Sequence, residues 1–115
     1  MTIIEGLAKL AEQRSDMCKQ IPGTSRYVVG GYAFWLDLDN RLNAQLGGVT
    51  VWNEPALDWL QCALQRVAIA KGYDYQLSAW NGPEVSHIAD LWTYDENIQR
   101  AGGSPAETLL EALTK

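Results

Sequence analysis

Residues 53–92 constrain this chain more than any other stretch, because they read as a long apolar helix followed by a tight β-hairpin. Asn53 is placed as an N-cap, its side-chain oxygen able to accept from the free amides of the first turn. Glu54 puts negative charge at the positive end of the helix dipole, and Pro55 falls in the first turn, where its missing N–H has no partner to lose. Lys71 sits in the last turn, and Gly72 is placed to end the helix in a left-handed conformation. Between these signals Ala56, Trp59, Leu60, Ala63, Leu64, Val67 and Ala70 recur at helical spacing. Leu57, Cys62, Ala68 and Ile69 widen the stripe past half the circumference, so the helix is expected to be covered on more than one side.

The hairpin is predicted over residues 73–80 and 84–92, with Asn81-Gly82-Pro83 as its turn. A three-residue loop sets Tyr73 against Leu91, Tyr75 against Ala89, Leu77 against His87 and Ala79 against Val85. That register gathers nearly all the apolar residues on one face, which favours it over a two-residue Asn-Gly loop. It also sets Asp74 opposite Asp90, a like-charge pair that counts against it. The other face carries Trp80, Ile88 and Trp92 among Asp74, Glu84 and Asp90. Those six residues form the candidate binding patch: the tryptophans supply contact area, and the acidic rim steers a basic partner. Closure of the same face between two copies of the chain, or coverage of it by a terminal helix, are the competing readings.

Upstream, residues 2–20 read as an amphipathic helix with a Thr2/Glu5 capping box, ended by Ile21-Pro22-Gly23. Residues 27–29 and 32–37 read as strands about a Gly30-Gly31 break. Arg41 to Leu46 reads as a short helix, Gly47-Gly48 as a turn and residues 49–52 as a strand. Downstream, residues 93–100 read as a polar loop or helical turn, and Ala101-Gly102-Gly103 as a joint. Ser104-Pro105-Ala106-Glu107 is a capped helix start. The order of elements predicts a single α+β domain over residues 1–115: an antiparallel or mixed sheet of about four strands with helices packed on it.

The net charge of −5 argues against nucleic acid as the main partner, since phosphate binding needs a basic face. Cys18 and Cys62, both placed in helices, have no CxxC spacing and read as free core thiols. Met1 to Glu5 lacks a basic start and a long apolar run, and no window is long enough to span a membrane, so a cytoplasmic location is expected.

Few residues offer chemistry. His87 is the only histidine and faces the predicted core. Asp37-Leu38-Asp39-Asn40 places two carboxylates at a strand end, which suits a hard cation, but no following Gly and Glu complete a Ca²⁺ loop, and turn formation explains the run. An enzyme or ligand-binding domain would draw on Asp37, Asp39 and His87. No cofactor or metal is expected.

From the helix near Trp59-Leu60 the chain passes through Gly72-Tyr73 to a Tyr-rich strand and a second strand. It ends in Ser104-Pro105-Ala106-Glu107-Thr108-Leu109-Leu110-Glu111-Ala112-Leu113. Over residues 53–115 this resembles the small tailed-phage proteins called the phage ABA sandwich group, whose C-termini often carry a Thr-Pro-Ala-Glu-Ala type helix. The resemblance implies an α-β-α layered fold and a phage or prophage origin, and carries no catalytic residues with it. The expected function is therefore that of a small acidic accessory protein that docks on a host protein, for instance as an inhibitor of a defence or regulatory factor.

Overall fold

The structure, a computed structural model, describes residues 2–81 and 85–114, and the side chains of residues 80, 81, 85 and 86 lie outside that description. The chain begins with α1 (Ile3–Gln13) and continues through β1 (Cys18–Gln20), β2 (Tyr27–Val29), β3 (Tyr32–Leu36), β4 (Leu42–Leu46) and β5 (Val49–Trp52). Helix α2 (Glu54–Ala70) leads to β6 (Asp74–Asn81), β7 (Val85–Trp92) and β8 (Asn97–Gly102), and α3 (Pro105–Leu113) closes the fold. The class is α+β. The strands make two antiparallel meanders, β1-β2-β3-β4-β5 and β6-β7-β8, where the order of elements pointed to one sheet of about four.

Both sheets turn one face to the helices. In the larger sheet Cys18, Val29, Tyr32, Tyr27, Phe34 and Ala44 point inward and are buried. Helix α2 lies on β2–β5, and α1 lies on β1 and β2. In the smaller sheet Ala89, Leu91 and Ile98 are the buried inward residues, and α3 packs on β7 and β8. Helix α3 also packs on α1 and α2, so the helices form one connected layer serving both sheets. A single buried cluster results, with Leu7 and Leu10 of α1, Leu60 and Leu64 of α2, and Leu109, Leu110 and Leu113 of α3. Trp59 is only partly buried; its ring meets Tyr32 edge-on at 5.5 Å.

The ends of α2 divide the sequence signals. At its C-terminus the amide of Gly72 donates to Ile69 O and that of Tyr73 to Ala68 O, both at 3.0 Å, with Gly72 at φ +85°. This is a Schellman cap, as Gly72 predicts. At its N-terminus Asn53 stands at the cap position with φ +59°, and its side chain makes no capping bond. Its amide donates to Leu42 O, so the residue extends the β4–β5 ladder before the helix starts. The Thr2/Glu5 capping box of α1 is present, as is the bond from Glu107 N–H to the Ser104 hydroxyl in α3.

Four sequence expectations are corrected. Helix α1 stops at Gln13 rather than near Gln20, because residues 18–20 pair with β2 and place Cys18 in a strand. Residues 42–46 are strand β4, not a helix: Gly47-Gly48 folds it directly back on β5, with Leu46 opposite Val49. Residues 97–102 are strand β8, although only Ile98 of them is apolar and buried. The hairpin pairs Tyr75 with Leu91, Leu77 with Ala89 and Ala79 with His87, two residues along from the expected register. A two-residue slip keeps every side chain on its predicted face. It also moves Asp90 opposite Gln76 and sets Asp74 opposite Trp92, which removes the like-charge pair. Of the predicted Asn81-Gly82-Pro83 turn, Asn81 is the last residue of β6 and pairs with Val85, and Gly82 and Pro83 lie outside the described residues.

At Gly102 of β8 there is no room for a side chain against α3: a Cβ there would stand 2.7 Å from Thr108 Oγ1. Thr108 is fully buried, and its hydroxyl donates to Ser104 O at 2.6 Å. Gly102→Ala is expected to destabilise the protein by about 1–3 kcal/mol through overpacking. In a Thr108→Ala background the same change is expected to cost less, a coupling that chemical denaturation of the four-variant cycle measures directly.

Candidate functional site

The open faces of the two sheets are where this chain has surface to offer. On the smaller sheet the outward residues are Asp74, Gln76 and Ser78 of β6, Ile88, Asp90 and Trp92 of β7, and Asn97, Gln99 and Ala101 of β8. Helix α3 packs on the opposite face, so the terminal helix does not cover them. Trp92 and Ile88 are half-buried by their strand neighbours, and Asp74 is exposed directly across from Trp92. Asp90 accepts from Gln99 Nε2 at 2.9 Å, which holds its carboxylate on this face. Four of the six candidate patch residues thus share one surface. Glu84 and the side chain of Trp80 lie outside the described residues.

Charge is unevenly divided along the chain. Residues 54–115 hold nine acidic and four basic side chains, while residues 1–53 are balanced, so the whole net charge of −5 arises in the half that builds the smaller sheet. Asp74 and Asp90 sit within that acidic half.

The outer face of the larger sheet carries a second aromatic row that the sequence reading missed. Trp35, Asn43 and Trp52 stand side by side across β3, β4 and β5. The Arg26 guanidinium lies 4.0 Å from the centre of the Trp35 ring, and that of Arg41 lies 5.9 Å from the Trp52 ring. The row is legible only once residues 42–46 are recognised as a strand.

The carboxylates considered for chemistry are engaged within their own turn. Asp37 Oδ1 accepts from the amides of Asp39 and Arg41, and Oδ2 accepts from Arg41 Nε at 3.0 Å and Asn43 Nδ2 at 2.9 Å. Asp39 pairs with the same arginine at 3.3 Å. The hydrogen bond from Asn43, with those from Arg41, holds the Asp37 carboxyl down at about 2. His87 lies on the other sheet, in a groove of about 230 Å³ walled by Gln61, Leu77, Ser78, Ala79, Ile88 and Pro105. Neither Asp37 nor Asp39 is among those walls.

Both cysteines are free. Burial pushes the Cys18 thiol up to about 12, and its Sγ lies 3.5 Å from Leu7 O. Among the described residues no group of three or more His, Cys, Asp or Glu side chains is placed to hold a metal ion. No described helix is long and apolar enough to cross a membrane. A half-buried polar joint was also missed by the sequence reading: Tyr73 Oη accepts from Arg14 Nη1 at 3.1 Å and donates to Glu96 Oε2 at 3.0 Å.

No family model, curated protein or solved structure matches this chain.

Asp37 titrates below its ordinary range only while the turn is folded. Its contribution to stability is present above the unfolded value near 3.8 and is lost as pH falls toward about 2. Urea unfolding across that window is expected to show a steeper loss of stability for the wild type than for Asp37→Asn, which starts lower and has no carboxyl there to protonate.

Proposed function

We propose that this protein acts without catalysis, as a docking protein whose acidic, tryptophan-bearing sheet face binds a basic surface on a partner protein. The observation that carries the reading is the uncovered outer face of β6, β7 and β8, where Asp74 flanks Trp92 directly and Asp90 and Ile88 stand on the neighbouring rows. Amphipathic rings surrounded by charge suit a protein interface: the aromatic area supplies the affinity, and the acidic rim speeds encounter and excludes acidic competitors. The concentration of net charge in residues 54–115 supports a basic partner. The resemblance of those residues to small tailed-phage proteins supports a host-cell protein as that partner, with inhibition by occlusion as the simplest consequence of binding.

The test is affinity capture from host lysate with wild type, Trp92→Ala, and an Asp74→Lys/Asp90→Lys double variant, each first checked for native circular dichroism. The captured protein is expected to be basic, to be released by added salt, and to bind the double variant at least tenfold more weakly. Equal capture by all three proteins would remove this face as the binding site.

A further inference from the structure

Two sheets have four edges, and the chain treats one of them differently. An exposed edge presents unpaired N–H and C=O groups, and soluble proteins blunt it with charge, proline, a bulge or brevity. Strand β1 carries Lys19, β6 carries Asp74 and β8 carries Arg100. Strand β5 is short, at four residues, but has neither charge nor proline: Gly47-Gly48-Val49-Thr50-Val51-Trp52-Asn53 holds no ionisable residue and no proline. It is also apolar where it meets solvent, with Val49 57% exposed, Trp52 52%, and Leu46 beside it 42%.

The direction of its free backbone groups follows from the ladder. Asn53 N–H bonds to Leu42 O, and in an antiparallel pair bonded and non-bonded positions alternate. The N–H and C=O of Trp52 and of Thr50, set opposite Asn43 and Gln45, therefore point away from β4.

We infer that β5 is the site of self-association, pairing antiparallel with β5 of a second copy so that the two larger sheets join into one. Pairing about a two-fold axis at Thr50 places residues of equal parity opposite each other, as an antiparallel ladder requires. Thr50 then meets Thr50 of the second copy, Val49 meets its Val51, and Trp52 covers its Gly48. The two valine pairs lie on the helix-facing side, beside the exposed Leu46, while Trp52 lies on the outer side. Charge admits a second copy, and the two-fold register favours it by pairing threonine with threonine and valine with valine. The strip that must come together is neutral, although each chain carries −5. The nearest ionisable residues, Arg41 and Glu54, meet the Gly47-Gly48 turn of the other copy and not their own counterparts. This surface is separate from the acidic face of β6–β8, so the failure of either reading leaves the other standing.

The experiment is a concentration series of the purified chain by light scattering or sedimentation, with amide hydrogen exchange on the same samples. The wild type is expected to move from the 12.8 kDa chain mass toward twice that value. The Thr50 and Trp52 amides are expected to slow as it does so. Val49→Lys, which puts one charge of each copy into the strip, and Thr50→Pro, which removes an outward N–H at a position where an edge tolerates proline, are each expected to weaken association at least tenfold. A wild type that stays at the chain mass throughout overturns the inference. So does a dimer that persists unchanged in folded Val49→Lys. Should both variants fail to fold, the wild type alone decides: fast exchange at Thr50 and Trp52 in the dimer also overturns it.

Discussion

The helices of this protein have to serve two sheets at once. Each meander has one apolar face, and neither is large enough to close on itself. Helix α2 meets the demand because its apolar stripe is wider than one contact needs: Ala63 lies against the β2–β3 turn at Gly30, while other positions face α3 and β6. Helix α3 does the same between β7–β8 and the other two helices. Removing the shared layer exposes both sheets, which is why a single buried cluster runs from Leu7 to Leu113.

That arrangement leaves the outer sheet faces and the sheet edges uncovered by the helices. Where side chains on those faces are charged, they are mostly engaged locally. Asp37 and Asp39 hold Arg41, Arg26 lies on Trp35, and Asp90 accepts a hydrogen bond from the Gln99 side-chain amide. The acidic face of the smaller sheet and the neutral edge of the larger one are thus different kinds of surface. One carries carboxylates beside a tryptophan, and the other carries no ionisable residue.

What was legible in the sequence follows from how local the signals are. Thr2 with Glu5, Ser104 with Glu107, and Gly72 after Lys71 each mark a helix end through bonds made within a few residues, and each is found in place. The faces of β6 and β7 were legible because a buried side dictates parity. The register within that parity was not, since Tyr75 packs acceptably against either Ala89 or Leu91. Strand β4 was misread because Leu42, Ala44 and Leu46 fit either period, and only pairing with β3 and β5 decides between them. Strand β8 carries one inward apolar side chain, so its identity comes from β7 and not from its own residues. The acidic patch was visible as composition on a hairpin face. The Trp35–Asn43–Trp52 row was not, because it depends on three strands being in register.

Tyr73 joins parts of the chain that are far apart in sequence. Its hydroxyl links Arg14, 59 residues before it, with Glu96, 23 residues after it. Hairpins such as β4–β5 need only short loops to close, whereas this three-way junction forms only when the end of α1, the exit of α2 and the β7–β8 turn have all arrived. The one hydroxyl thereby fastens the end of α1 and the β7–β8 connection to the exit of α2, each through a single hydrogen bond.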